Sequence, residues 1–148
     1  MTARTIELYL AMWTFPYWRW IVVPRTYQVV NHECDILALS DRGYAHEVEI
    51  KISLGDVKAD LKKVHGHVDG KIKCFWFAMP SELCEKAEAF VPERAGILSV
   101  GWNGRENVKI YRKPMVNRQA LPWPWHERCR LARAVMIRYW SESVRELR

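Results

Sequence analysis

The sequence predicts an α/β domain in which helices flank a mixed central sheet and an amphipathic helix closes the chain. Three observations support this fold class. Two β-prone stretches, 33–39 and 44–52, are separated by four turn-forming residues, which is typical of a hairpin. A stretch with helical spacing follows directly. A nearly continuous apolar run, 72–79, then has the pattern of a buried central strand.

The N-terminal segment predicts a helix and an irregular strand. Apolar residues between Thr5 and Trp13 are compatible with a short helix that Pro16 ends. The stretch 20–30 is rich in β-branched and aromatic residues, but it contains Pro24. Because proline lacks an N–H for the sheet ladder, this stretch predicts an edge strand or a strand with a bulge.

The hairpin leads into a helix. Its turn, 40–43, has turn chemistry at every position. Ser53 is a helix-capping residue, Asp56 follows three positions later, and apolar residues then recur at helical spacing up to 65–67. We therefore expect a helix immediately after the second strand of the hairpin.

The second half of the chain predicts one more helix, two more strands and the closing helix. Ser81 is expected to cap a short helix that ends at Phe90. Two short strands, 96–102 and 108–111, flank the dipeptide Asn103-Gly104, a strong hairpin turn signal. Prolines mark an extended crossing. From 126 to 147, apolar residues recur with helical period: Leu131, Val135, Tyr139 and Trp140.

Composition places the chain among globular proteins of one domain. It has 148 residues, 49% of them hydrophobic, and its aromatic content excludes a disordered or collagenous chain. We expect a single domain over 1–148, with a core at about 5–112 and a basic C-terminal extension at about 113–148. No apolar run is long enough to span a bilayer and no secretory signal is evident, so we expect a cytoplasmic protein, in the host cell if phage-encoded. The four cysteines show no zinc-ribbon spacing and are expected to be reduced, mostly buried thiols.

Charge is distributed unevenly along the chain. Residues 1–30, 31–104 and 105–148 carry net charges of +2, −3 and +7. An acidic middle between basic ends suggests that the middle concentrates carboxylates for chemistry or metal binding, while the ends attract a polyanion. A solvated basic C-terminal helix explains the charge of the tail equally well.

Alternation along the hairpin groups its charged residues. In a strand, alternate side chains share a face. We therefore expect one face to present four carboxylates and an ammonium: Glu33, Asp35, Glu47, Glu49 and Lys51. The opposite face should carry apolar residues: Cys34, Ile36, Ala38, Val48, Ile50 and Ile52. So many carboxylates repel one another unless a cation organises them, and oxygen ligands favour Mg²⁺ or Mn²⁺.

A solvated sheet face would show the same alternation. The metal interpretation depends on the combination with an Asp on the paired strand and a capped helix that carries Asp56 and Asp60. Basic residues follow those two carboxylates. A lone strand would not explain this set.

These residues resemble the PD-(D/E)xK nuclease superfamily. Asp35, a turn, and then Glu49-Ile50-Lys51 are similar to its D…(D/E)-x-K core, in a helix, three-strand, helix, strand order (αβββαβ). The stretch from Glu33 to about Val100 most resembles the MmcB-like DNA-repair branch and small phage-encoded relatives. The proline that usually precedes the first acid is replaced by Cys34.

The resemblance implies a restriction-endonuclease-like fold and a metal-dependent deoxyribonuclease. Asp35, Glu49 and the backbone carbonyl of Ile50 would bind Mg²⁺ or Mn²⁺, and Lys51 would position or help deprotonate the attacking water. Glu7 and Glu47 are further candidate ligands. DNA is the implied partner, and whether two copies pair as a homodimer is left open.

Basic and aromatic residues outside the motif are candidates for DNA binding. The set comprises Lys62, Lys63, His65, His67, Arg128, Arg130 and Arg133. Trp13, Trp18 and Trp20 lie near arginines and could stack on bases, although core packing is the favoured interpretation for most of them.

Two other functions stay open at this point. A nuclease-fold DNA-binding or repair-accessory module could retain the motif with a weak or silent site. Alternatively, an interaction protein could use its aromatic N-terminus and basic helix to dock an acidic partner.

Overall fold

The computed structural model describes residues 1–26, 33–60, 70–101 and 107–146. Six strands of these ranges form one sheet in chain order: β1 (Ile21–Thr26), β2 (Cys34–Leu39), β3 (Ala45–Ile50), β4 (Ile72–Pro80), β5 (Gly96–Val100) and β6 (Val108–Arg112). The β3–β4 and β4–β5 pairs are parallel and the other three pairs are antiparallel. The predicted mixed α/β sheet is confirmed.

Four α-helices flank the sheet within the described ranges: α1 (Ala3–Tyr9), α2 (Leu54–Asp60), α3 (Ser81–Ala87) and α4 (Trp125–Glu146). A π-helical turn, Leu10–Thr14, continues α1, and a 3₁₀ turn, Glu88–Phe90, continues α3. None of the described helices is long and apolar enough to cross a bilayer.

The predicted hairpin is the β2–β3 pair. Its turn is closed by a hydrogen bond from the Gly43 N–H to the Ser40 carbonyl at 2.8 Å, and the Ser40 hydroxyl accepts from the Tyr44 N–H. Gly43 has φ of +85°, a conformation that costs glycine little because it has no Cβ. The guanidinium of Arg128 packs against the space that a Cβ would fill. Turn chemistry therefore fixed this element locally.

The strand that contains Pro24 lies at the edge of the sheet, as the proline predicted. β1 pairs only with β2 among the described strands. Arg25, which follows Pro24 in β1, departs from strand geometry with φ of 47°. Because Pro24 donates no N–H, a central position would have left a carbonyl of a second neighbour without its ladder bond.

Helix starts agree with the sequence in one case and differ in another. The Ser53 hydroxyl accepts from the Asp56 N–H at 3.1 Å, as the capping pattern predicted for α2. Ser81 does not cap α3: Pro80 occupies the N-cap position, and the Ser81 hydroxyl contacts the Glu82 carboxylate instead. The predicted end of α2 at 65–67 and the turn at Asn103-Gly104 lie outside the described residues.

Apolar clusters cover both faces of the sheet. On one face, Ile6 and Leu10 of the N-terminal helix pack against alternate residues of β2 to β5, including Val48 and Trp76. On the other face there are two clusters. One joins Leu37 and its neighbours on β1–β3 to Trp123 and α4, and the second joins β4 and β5 to α2 and α3. β3 therefore lies inside the molecule, with strands on both sides and helices above and below.

Two predictions about apolar residues are wrong in part: that most of the N-terminal tryptophans pack in the core, and that the apolar stripe of the last helix continues to Trp140. Trp13 and Trp18 are 54% and 65% exposed, whereas Trp20 packs against the core. In α4, Leu131 and Val135 pack against the sheet, but Tyr139 and Trp140 of the same predicted stripe are exposed. Cys34, Cys74 and Cys84 are buried thiols as predicted, while Cys129 is exposed.

His46 of β3 is enclosed by aromatic rings. Its imidazole stacks with Trp76, makes edge contacts with Phe15 and Trp20, and accepts a 3.3 Å hydrogen bond from the Trp76 indole N–H. Burial among these rings disfavours the charged imidazolium and lowers the pKa of His46 from 6.5 to about 4. The folded protein therefore keeps this side chain neutral.

His46 should make the fold sensitive to mild acid. Between pH 6.5 and 4 the unfolded chain binds a proton at this imidazole and the folded chain does not, so stability falls as pH falls. We expect His46 to account for a loss of about 2 kcal/mol between pH 7 and 5. Urea unfolding at both pH values, in the parent and in His46→Gln, measures this share. An equal pH dependence in both proteins would contradict it.

Candidate active site

A buried cluster of charged side chains lies just beyond β3. The Lys51 ammonium is 2.9 Å from a carboxylate oxygen of Glu49 and 2.8 Å from one of Asp60 in α2. All three side chains are buried, Glu49 being 2% exposed and Lys51 7%. The ammonium also lies 5.7 Å from the ring centroid of Phe77. Glu49 and Lys51, two of the predicted catalytic residues, are therefore in direct contact.

Asp35 joins this group through the backbone. A carboxylate oxygen of Asp35 accepts a 2.7 Å hydrogen bond from the backbone N–H of Ile50, the residue between Glu49 and Lys51. On its other side, the Lys51 N–H donates to the Ala78 carbonyl of β4 at 2.9 Å. The three residues of the predicted motif thus lie at one end of the hairpin, because β2 begins where β3 ends, but Asp35 contacts the backbone of this segment rather than the Glu49 and Lys51 side chains.

Glu47 and Glu49 do not lie on a solvated sheet face, which was the alternative interpretation of the alternation. Glu47 is fully buried and Glu49 nearly so, because the residues of β4 beside them, Phe75 and Phe77, belong to an apolar cluster that α2 and α3 cover. The alternation of residues within a hairpin does not reveal whether another strand or helix packs against it. Glu47 and Glu49 therefore lie between the two clusters of that sheet face.

Alternation also fails at the start of β2. Cys34 packs with Leu37 and Leu39, although alternation groups it with Ile36. Asp35 in turn lines a small cavity beside α1, on the opposite side from Lys51. The irregular backbone of Arg25, which lies opposite Asp35 in the β1–β2 register, accompanies this change. At the other end of the motif, Ile52 is 50% exposed and does not join the apolar face.

The small cavity brings together three of the predicted metal ligands. It has a volume of about 180 Å³, and the residues that line it are Ala3, Arg4, Glu7, Arg25, Asp35 and Ile50. The Glu7 carboxylate forms an ion pair with Arg4 one turn earlier in α1. Glu33, by contrast, is exposed and lines a separate, larger cavity.

Cys34 lies near the carboxylates but offers no thiolate. Burial raises the pKa of its thiol, and the negative charges of Glu47, Glu49 and Asp35 raise it further. Its Sγ donates to the Thr26 carbonyl. A thiol held neutral is a poor nucleophile and a poor metal ligand, so the chemistry here belongs to oxygen and nitrogen groups.

Asp60 was noted in the sequence as a carboxylate of the helix after the motif, but its contact with Lys51 was not predicted. It lies three positions after Val57, which is buried in the cluster that α2 covers, and residues at this spacing share a helix face. That spacing was the available signal. Asp56, the other carboxylate of α2, is exposed.

The predicted DNA-binding residues fall into two groups. Lys62, Lys63, His65 and His67 lie outside the described residues. Arg128 lies at the opposite end of the hairpin from Asp35, where its guanidinium donates to the carbonyls of Trp123 and Asp41. Arg130 and Arg133 are exposed on α4. Arg128 therefore has a structural contact, in addition to any contact that it makes with a ligand.

Metal-binding geometry is limited in the described ranges, where no group of three or more His, Cys, Asp or Glu side chains is arranged to hold an ion. The available donors are oxygens, from the carboxylates of Asp35 and Glu7 and from the backbone of Ile50. Mg²⁺ prefers oxygen and is often held by only one or two carboxylates, with water and substrate phosphate completing its coordination. The donor set fits such an ion.

Comparisons with known proteins define the fold class and no more. No protein-family model matches this sequence, and a search of curated proteins found no match. The structure is similar to that of a protein of unknown function from Silicibacter pomeroyi, with a TM-score of 0.62 and 15% sequence identity. The similarity covers 99% of this chain and 90% of that one, so the two proteins share an α/β fold over nearly their whole length.

Proposed function

We propose that this protein is an Mg²⁺- or Mn²⁺-dependent deoxyribonuclease with a restriction-endonuclease-like core of the PD-(D/E)xK type. One observation carries the proposal. The Asp35 carboxylate is hydrogen-bonded to the N–H of Ile50, the residue between Glu49 and Lys51, so the acid, the second acid and the lysine of the motif are all positioned by the end of β3.

The order of elements supports the same function. A helix is followed by three antiparallel strands, then a helix, then a strand parallel to the third, which is the αβββαβ order implied by the resemblance. A parallel pair needs a crossover connection, and α2 lies in that crossover between β3 and β4. The crossover brings Asp60 back against Lys51.

Asp35, Glu7 and the Ile50 carbonyl would hold the metal ion at the small cavity, with Glu49 as the second acid of the motif from the neighbouring side of β3. When bound, such an ion supplies a water of lowered pKa and neutralises charge at the phosphate. Around that ion, the chain's own residues set orientation. The Ile50 N–H fixes one oxygen of Asp35, and Lys51 fixes one oxygen of Glu49.

Lys51 would act on water or phosphate. An ammonium has three protons to donate and cannot coordinate a metal cation. Two of its N–H groups are directed at Glu49 and Asp60, which hold the ammonium at the motif end of β3. A positive group fixed in a water-poor site stabilises negative charge better than one that must reorganise, which suits a phosphodiester transition state.

A second function is favoured by burial. Glu49 and Lys51 are almost closed to solvent, and their charges are already satisfied by one another and by Asp60. A DNA-binding or repair-accessory module with a silent site would show this arrangement, in which the triad serves the fold.

A cleavage assay separates the two functions. The purified protein is incubated with duplex, flap, junction and single-stranded oligonucleotides in Mg²⁺, Mn²⁺ or EDTA. The nuclease proposal expects cleavage of at least one substrate with a divalent cation and none in EDTA. Binding without cleavage under every condition would contradict it and support the accessory module.

A further inference from the structure

Arg25 has an unusual backbone conformation at the position opposite Asp35. It is the one non-glycine residue with positive φ in the described ranges, at 47°. Arginine is not among the residues that adopt this conformation readily, and such positions cluster at functional sites. Register pairs on either side, Pro24 with Ile36 and Thr26 with Cys34, put Arg25 opposite Asp35.

This backbone puts Arg25 where two cavities meet. Arg25 lines the small cavity with Asp35 and Ile50. It also lines a larger cavity of about 840 Å³ between β1 and α4. Arg4 is the other residue common to both linings, but its guanidinium is in an ion pair with Glu7.

Helix α4 holds the irregular segment from outside. The Arg138 guanidinium donates to the carbonyls of Pro24 and Arg25, the second at 3.0 Å. These contacts join residues more than a hundred positions apart in the chain, so the tail of the protein fixes the backbone beside the motif. Arg138 is therefore a positioning residue for Arg25.

We propose that Arg25 binds a non-bridging oxygen of the backbone phosphate that faces Asp35, and that the strand carrying this phosphate enters through the larger cavity. This inference rests on the proposed function, whose substrate it makes more specific. The planar guanidinium presents paired N–H donors that match phosphate geometry. The Arg25 side chain is exposed, so a nucleic-acid strand can reach it.

The charges that line the larger cavity largely cancel, so they attract the DNA strand only weakly. Arg4, Arg25 and Arg138 line it together with Glu33 and Glu142. The two carboxylates offset most of the positive charge. The contact with phosphate is therefore concentrated at Arg25, and a single substitution can test it.

Arg25→Gly is the decisive variant, because glycine suits positive φ while it removes the guanidinium. Its urea midpoint should equal or exceed that of the parent, which separates the loss of a ligand contact from misfolding. Affinity for a fluorescent DNA duplex, measured in Ca²⁺, should fall about tenfold, as expected for a lost charge-assisted hydrogen bond. The slope of log affinity against log salt should shrink by about one phosphate contact.

Two further variants complete the test. Arg42→Ala removes an exposed arginine from the hairpin turn, at the opposite end from Asp35, and should leave affinity and salt slope unchanged. Arg138→Met should lower affinity through the position of Arg25, and it should have no effect in the Arg25→Gly background. An additive effect in that background would show instead that Arg138 contacts DNA by itself.

The outcomes separate this inference from the nuclease proposal. Unchanged affinity and slope in a stable Arg25→Gly protein overturn the role of Arg25, even if the parent cleaves DNA. If Arg25→Gly has a smaller salt slope than the parent but the parent cleaves no substrate, the phosphate contact is supported and the nuclease proposal is contradicted. Failure of the parent to bind any DNA overturns both.

Discussion

Lys51→Met is expected to lower the free energy of unfolding by about 3–5 kcal/mol, the usual result of removing one partner from a buried ion pair. The substitution retains the apolar stem but leaves Glu49 and Asp60 buried without the ammonium that they share. Their desolvation then loses the compensation that the ammonium supplied. Urea unfolding at neutral pH measures the change.

Matched variants test whether charge is the cause. Adding Asp60→Asn to Lys51→Met removes one of the two carboxylates and should recover part of the lost stability. Lys58→Met, on the exposed side of α2 above the Phe90 ring, should cost less than about 1 kcal/mol. A Lys51→Met protein as stable as the parent would show that the triad contributes little to folding.

Asp35→Asn and Glu49→Gln are expected to reduce metal-dependent cleavage by at least about 10²-fold, a loss comparable with that of one transition-state stabilising group. Both changes keep the shape of the side chain. In Asp35→Asn the new amide oxygen can still accept from the Ile50 N–H, and in Glu49→Gln it can still accept from Lys51. The negative charge that a metal ion needs is lost, while the fold keeps its hydrogen bonds.

The measurement is a cleavage time course in Mn²⁺ beside urea unfolding of the same preparations. Asp41→Asn serves as the control, since Asp41 is exposed in the hairpin turn away from the motif. It should cleave like the parent. Activity within a few-fold of the parent in Asp35→Asn or Glu49→Gln would remove these residues from the site and support the accessory module.

The candidate site was predictable in part. Asp35, Glu49 and Lys51 could be selected from sequence because a hairpin with a well-defined turn aligns the start of one strand with the end of the next. The contact of Lys51 with Asp60 could not be predicted in this way. Asp60 reaches it only because the crossover helix packs against β4, and the spacing between Lys51 and Asp60 does not encode that contact.

Burial of the charges was also not readable from the hairpin. The same alternation describes a strand with one wet face and a strand enclosed by two layers, and here β4 on one side and helices on both faces exclude water. Likewise, the Arg128 side chain looks like part of a basic tail in sequence. Only the folded chain brings it to the carbonyl of Asp41.

The sequence by itself determined the order and type of the elements, including the edge strand at Pro24, the turn at Gly43 and the cap at Ser53, because these depend on the conformational limits of a few adjacent residues. The tertiary structure decided which charges are buried, that Asp35 lines the cavity beside α1, and that Arg138 fixes the backbone of Arg25. Those outcomes depend on contacts between residues distant in the chain, whose free energy is set by packing and desolvation rather than by local pattern.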